Sequence, residues 1–467
     1  TLFLLLMNKA IFWASSTPSA QCFNDLSSQR VKQTTRLPYT SYCMRNPSFT
    51  ILKAIAIILV VIAHSAAPTY LSSFAYMVGV PAFFVLSGYF FKQENLDNTS
   101  NFVDRRTKTL YFPFIKWGVF FLILHNLFFE VGFLSETVGN AQGGVTHPYN
   151  WTQAAQHLWS MVFNMSGYDP FIAGAFWFFR ALFLANIAFI FLFKASKWMR
   201  KLKTSTLQVS SVIVLAFILA LWQAAMGLHI TGVAQGGYRE LMGIVLIGIG
   251  FLLNRADEAP VTAIWRNPLI MLVASSVVLA ILTFVYPVSM AAKPGSVLSV
   301  PILTIAGTAA FIWLRSLSHY IIQLPEKYTQ WLQLTGENSL YIFVFHLLAF
   351  KVASMIKVSV YQLDWEMVGG HPVVQHELGD GFWLLYTFMG VLLPLLPIWI
   401  WKKITNQHQF NVTNPRDWLR LFVLLGLLIY KGTIALGQLI VNLFINLGKS
   451  TVSLLKAIWK ASNPKED

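Results

Sequence analysis

Ten stretches of apolar side chains, each close to twenty residues long, recur along this chain and decide most of what it can become. They fall at about 49–66, 74–91, 110–131, 171–193, 207–226, 238–254, 267–287, 297–314, 338–356 and 382–401. At about 1.5 Å of rise per residue, a helix of that length matches a hydrocarbon core about 30 Å thick. Membrane barrels are built from shorter, alternating segments and do not fit. The expected fold class is all-α: a polytopic transmembrane helical bundle of ten core spans plus a C-terminal apolar segment. Composition enters at one point. Only 11% of residues are charged, against about 25% in soluble domains, which excludes an ordinary water-soluble enzyme. A hydrophobic share of 56% excludes a disordered chain.

The net charge of +15 invites a nucleic-acid reading, but the placement of the charge answers it. Lys and Arg crowd into alternate connections: Arg30 to Arg45, Lys92 to Lys108, Lys194 to Lys203, Arg255 and Arg266, Arg315 and Lys327, and Lys402 to Arg420. The intervening connections hold only Arg239, Lys293 and Lys357. Such asymmetry is the cytoplasmic excess of basic residues in inner-membrane proteins. It implies a multi-pass protein of the inner (plasma) membrane with both ends of the core in the cytoplasm, and no nucleic-acid partner.

Domain limits follow. Residues 1–45 are polar and Ser/Thr-rich and are expected to be an unstructured extension ahead of a true start at Met44. Residues 46–418 form the membrane domain. Residues 419–467 are an apolar and basic helical extension; an eleventh span there would carry Lys449, Lys456, Lys460 and Lys465 to the outside, so a hairpin or a helix along the inner surface is expected. Cys22 and Cys43 make neither a metal spacing nor a disulfide framework. The long outward connection 132–170 carries Trp151, His157 and Trp159 at helical spacing, as an interfacial helix would. His371 and His376, in the outward connection 357–380, read as solvated loop histidines rather than a metal site.

Ionisable groups inside spans are costly and mark function by default. Lys53 and His64 both lie in the first span. Their spacing amounts to about 1100° of helix, about 20° beyond three full turns, with a rise of roughly 16 Å. One helix face therefore offers a cation near the inner mouth and a titratable imidazole nearer the outer end. A snorkelling lysine and a histidine bonded to a neighbouring carbonyl account for the spacing equally well. Further candidates are Glu130, Arg180, Arg239, Glu240 and His346, the last preceded by a polar Gly336–Ser339 stretch suited to capping a helix. Arg105, Arg106 and Lys108 form a basic cluster just inside the second span; it orients the protein and equally suits phosphates, which guanidinium groups bind in a bidentate way.

Lys53-Ala-Ile-Ala-Ile-Ile-Leu-Val-Val-Ile-Ala-His64 resembles the basic residue, ten-residue spacer and histidine of the integral-membrane acyltransferase family 3, most like its fucose 4-O-acetylase and polysaccharide O-acetyltransferase members. Further elements follow in the family's order. These are Val80-Pro-Ala-Phe-Phe-Val-Leu-Ser-Gly-Tyr89, the basic stretch Arg105–Pro113, Phe176-Trp-Phe-Phe-Arg-Ala-Leu182 and Ser339-Leu-Tyr-Ile-Phe-Val-Phe-His346. Thr50 stands where many members have Asp, and Lys108 and Thr109 stand where a second arginine would follow Arg105 or Arg106. The resemblance implies acetyl-CoA or another acyl-CoA as donor on the cytoplasmic side, no metal, and a hydroxyl acceptor on a sugar, surface glycan or lipid-linked glycan. It implies His64 as the catalytic histidine, with Lys53 and Arg105, Arg106 and Lys108 handling the donor.

The chemistry is consistent with those residue types. An alcohol attacks a thioester poorly until a base of suitable pKa takes its proton, and histidine is that base near neutrality. Arg180 is the expected electrostatic contributor toward the oxyanion, and Glu130 or Glu240 the expected orienting partner of His64. Direct attack and an acyl-histidine intermediate both satisfy the sequence. The alternative reading is a transporter or glycan-export component without acyl-transfer chemistry, although the two halves show no repeat.

Overall fold

The computed structural model describes residues 46–407, apart from 140–143, 168–170, 200, 228–233, 259–264 and 266. The expectations for 1–45 and 419–467 lie outside the described residues. The chain divides into two compact units, 1–394 and 395–467. The first holds the bundle and the candidate site; of the second, only the end of the last helix is described.

The elements are helices: α1 Pro47–His64, α2 Thr69–Tyr89, α3 Thr99–Arg106, α4 Phe112–Glu130, α5 Trp151–Asn164, α6 Trp177–Ser196, α7 Ser205–Met226, α8 Tyr238–Glu258, α9 Pro268–Val285, α10 Ser299–Ile321, α11 Glu326–Glu337, α12 Ser339–Tyr361 and α13 Phe382–Gln407. Nine described segments are long and apolar enough to cross a membrane. The helix at the expected sixth span, α8, is not one of them. It carries Arg239 and Glu240 at one end and Arg255, Asp257 and Glu258 at the other, too many charges for an apolar window. It is packed against α2, α6 and α7, which bury its middle.

Local rules explain the boundaries. Asn46 accepts from Ser48 N and Pro47 occupies the first turn, so α1 starts abruptly. Asn150 and Gln153 form a reciprocal capping box on α5, the expected interfacial helix, whose Trp151 and Trp159 stay exposed. The Gly336–Ser339 stretch behaves otherwise than expected: no side chain caps α12, and Asn338 gives its amide to Leu334 O at 2.7 Å, closing α11 instead.

α2 is the hub of the bundle, packing against α1, α8 and α10. It crosses α8 backbone to backbone: a Cβ at Gly88 would overlap Ile247, and one at Gly250 would overlap Val85. At the end of the bundle bearing Lys53, Asp257 accepts hydrogen bonds from Tyr89 Oη at 2.7 Å, Trp265 Nε1 at 2.9 Å and Arg315 Nη1 at 2.5 Å, tying α2, α8 and α10 together. Between α3 and α4 the chain makes one π-helical turn, Thr107–Tyr111, a wide turn that breaks the register of the side chains on either side.

Candidate active site

His64 closes α1. Its Nδ1–H donates to Val60 O at 2.8 Å, one turn back in the same helix. That fixes the ring and leaves Nε2 as the acceptor. The ring stands edge-on to His346 at 5.2 Å between centroids and to Tyr76 at 6.0 Å. His346, fully buried on α12, is held the same way: Nδ1 faces Phe343 O at 2.9 Å and Ile342 O at 3.1 Å. Its Nε2 has no hydrogen-bond partner among the described residues. Two imidazoles from distant parts of the chain thus meet, each pinned by its own helix and each with Nε2 left to accept a proton.

Three cavities follow one another through shared wall residues, the first two along α1 and the third beside α2. The first, about 120 Å³, lies toward the Lys53 end and is lined by Ile57, Thr109, Leu110, Phe179 and Ser339 among others. The second, about 20 Å³, contains His64, Tyr76, Trp177 and Ser289. Val60, Val80, Phe178 and Phe343 wall both. The third, about 410 Å³, shares Tyr76 and Ser289 with the second and is the most polar. The histidine therefore occupies a narrow chamber between an apolar cavity on one side and a hydroxyl-rich cavity on the other. The π-helical turn contributes Thr109 and Leu110 to the first cavity.

The other predicted residues divide into those the fold gathers and those it separates. Lys53 is half-buried one turn before Ile57, which puts it on the approach to the first cavity. The basic cluster splits. Arg106 turns into the bundle, packs over Phe102 at 5.0 Å and donates from Nη2 to Ser87 Oγ at 3.0 Å, which in turn donates to Asn186 Oδ1 at 2.9 Å. Arg105 reaches out to Asn95 Oδ1 at 2.6 Å, and Lys108 pairs with exposed Asp104 at 2.7 Å.

Arg180 and Glu240 are buried together, Nε to Oε1 at 3.8 Å, joining α6 to α8. Neither lines the chamber of His64. Arg239, next to Glu240 in the chain, reaches the walls of that chamber. Its guanidinium lies over Trp177 at 4.2 Å and donates to Ala291 O, bracing two walls of that chamber from behind. Glu130 is exposed at the end of α4. Nδ1 of His64, which Glu130 or Glu240 was expected to orient, is taken by the Val60 carbonyl.

A clamp on the His64 side had no counterpart in the sequence reading. Lys351, 1% exposed on α12, donates to three carbonyls of one loop: Val368 O at 3.0 Å, Gly369 O at 3.2 Å and Gly370 O at 2.8 Å. Lys357 pairs with Asp380 at 2.9 Å, and Tyr386 Oη accepts from Val374 N at 3.2 Å. Glu366 accepts from Ser135 Oγ at 2.8 Å and Thr137 Oγ1 at 2.5 Å, and these bonds lower its carboxyl pKa. These contacts hold the loop 365–380 down as a cap. His371 within it is not solvated, as expected from sequence, but buried against Phe171. Burial first, then the Lys351 ammonium, then His64 and His346, hold its pKa well below the ordinary 6.5. Among the described residues no group of three His, Cys, Asp or Glu is disposed to hold a metal ion. Lys351 and His371 carried no motif; the one available signal was a lysine in the interior of an apolar span.

No curated protein and no solved structure matches the chain. The profile of the acyltransferase domain of family 3 matches residues 46–402. That stretch takes in α1 to α12 and most of α13, with both histidines, the three cavities and the clamp. The chain belongs to this family of acyltransferases, and membership implies that it transfers an acyl group.

Proposed function

We propose that the protein is a membrane O-acyltransferase. It moves an acetyl group from acetyl-CoA, bound at the cytoplasmic Lys53 end, to a hydroxyl of a sugar, surface glycan or lipid-linked glycan at the opposite face. The observation that carries this reading is the position of His64 in a narrow chamber between two larger cavities of unlike character. The first cavity is apolar and suits the thioester arm, while Arg106 and Lys53 near its mouth suit the donor's phosphates. A chamber of about 20 Å³ is roughly the space of one or two waters, which favours a short acyl group.

In this mechanism the acceptor O–H donates to His64 Nε2 while its oxygen attacks the thioester carbonyl. Nε2 takes the proton as the C–O bond forms, and the charge gathers on the former carbonyl oxygen. Tyr76 and Ser289 line the chamber, and in this mechanism their hydroxyls donate to that charge. Collapse breaks the C–S bond, and the imidazolium returns its proton to the thiolate, giving the ester and free CoA. His346 stabilises the imidazolium's surroundings as a second acceptor, and Arg180 with Glu240 holds α6, and so Trp177, in place.

The test uses inside-out membrane vesicles bearing the full chain. Labelled acetyl-CoA outside should yield labelled ester on glycan inside, and His64→Ala should lose it while inserting normally. Label confined to acceptors on the donor's own side rejects transfer across the membrane, and transport without ester formation favours the export reading.

A further inference from the structure

The third cavity is the largest of the three. Its floor is the loop between α9 and α10, and that loop is fixed at several points. Tyr286 Oη bonds Ser296 Oγ at 2.5 Å, Ala291 N donates to Ser289 Oγ at 3.1 Å, and Arg239 holds the Ala291 carbonyl from behind. The cavity is therefore built before any ligand arrives. Its surfaces are of three kinds. Tyr76 and Tyr286 bring flat aromatic rings, Pro287 and Pro294 apolar ones, Ser73 and Ser289 hydroxyls, and Lys293 an exposed ammonium at the rim. No carboxylate lines it among the described residues.

Flat rings with interspersed hydroxyls are the complement of a sugar ring, whose C–H faces stack and whose O–H groups bond. A volume of about 410 Å³ is in the range of small-ligand pockets. Lys293 adds a sign: a cation on a wall with no carboxylate among the described residues favours a negative group and repels a positive one.

Resting on the proposed acyl transfer, we infer that this cavity is the acceptor subsite and that its occupant is an anionic carbohydrate. The reacting hydroxyl enters past Tyr76 and Ser289 to His64, and a carboxylate or phosphate on the same sugar meets Lys293. The order of the residues supports the geometry: Tyr76 and Ser289 wall both spaces, and Lys293 lines only the third.

The experiment measures acetyl transfer by the purified full chain to three probes: methyl glucuronide, glucose 6-phosphate and neutral methyl glucoside. Wild type should favour both acidic probes by acceptor KM. Lys293→Glu should raise KM for the acidic probes about tenfold or more, with kcat and the neutral probe's KM within about threefold. Ala292→Trp, at an exposed wall position, should raise acceptor KM for all three probes, while unaltered donor KM and thermal unfolding exclude misfolding. If Lys293→Glu leaves the acidic-to-neutral ratio unmoved, the charge assignment falls. If Ala292→Trp leaves every acceptor KM unmoved, the cavity is not the acceptor subsite. Wild type that acetylates none of the probes, and adds no ester to cell-surface glycan, overturns the acyl-transfer reading itself, which separates the two failures.

Discussion

Replacing Lys351 by Met keeps an unbranched stem of similar length and removes the ammonium that three loop carbonyls share. A hydrogen bond from a charged donor is worth about 1.5–3 kcal/mol. The three do not simply add, because they belong to one ammonium whose own burial costs several kcal/mol. A net loss of about 2–4 kcal/mol in closure of the cap follows. That is roughly 30-fold to several hundred-fold in the population of its open form. Amide hydrogen exchange in a bilayer mimetic reads this directly. Amides of 365–374 should exchange faster by that factor, while those of α7, on the far side of α8, should keep wild-type protection. The cap amides of Lys351→Met staying within about threefold of wild type would show that the carbonyl triad does not hold the loop, and the clamp would then rest on Lys357–Asp380 and Tyr386.

Further outcomes follow from the same geometry. His371 is neutral when buried and has an ordinary value near 6.5 when the cap opens, so closure is strongest above about pH 6.5 and weakens as pH falls. Between pH 7.5 and 5.5 the loss is up to about 1.4 kcal/mol, visible as faster cap exchange after correction for intrinsic rates; His371→Gln should flatten the profile, and stronger protection at pH 5.5 would contradict it. His64→Ala should lower kcat by about 10²–10⁴ and His346→Ala by less. The double variant should be no worse than His64→Ala, whereas multiplying effects would mean that the two rings act separately. Arg106→Gln should raise donor KM about tenfold with acceptor KM unmoved and Arg105→Gln should not; equal effects would place the donor on the exposed side of the helix.

The spans were legible because hydrocarbon imposes one demand, an uninterrupted apolar helix of fixed length, and every expected span has a helix at its position. The exceptions are instructive. α8 is apolar only between its charged ends, and three packed helices bury that middle. α11 is short and amphipathic and was hidden inside a connection, yet it lies across α1 so closely that Gly336 meets the backbone of Thr50. No span-length argument finds such an element.

The site was legible only as far as one helix carried it. Lys53 and His64 are related by a single period, and that relation survives folding. Arg105 and Arg106 look alike in sequence, but neighbouring positions on a helix point about 100° apart; one therefore meets Ser87 inside the bundle and the other Asn95 at the surface. Which acid partners which base was not legible at all. Glu240 follows Arg239 in the chain, but its carboxylate pairs with Arg180 across a helix interface, while Arg239 braces the wall behind His64. His371 was misjudged for the same reason, since the Phe171 ring it packs against and the Lys351 ammonium that acts on it are far away in sequence. A membrane bundle shifts such errors in one direction. With so few charges in the chain, each buried cation finds a carbonyl, a carboxylate or a ring, and the partner is chosen by which helices touch rather than by what stands next in the sequence.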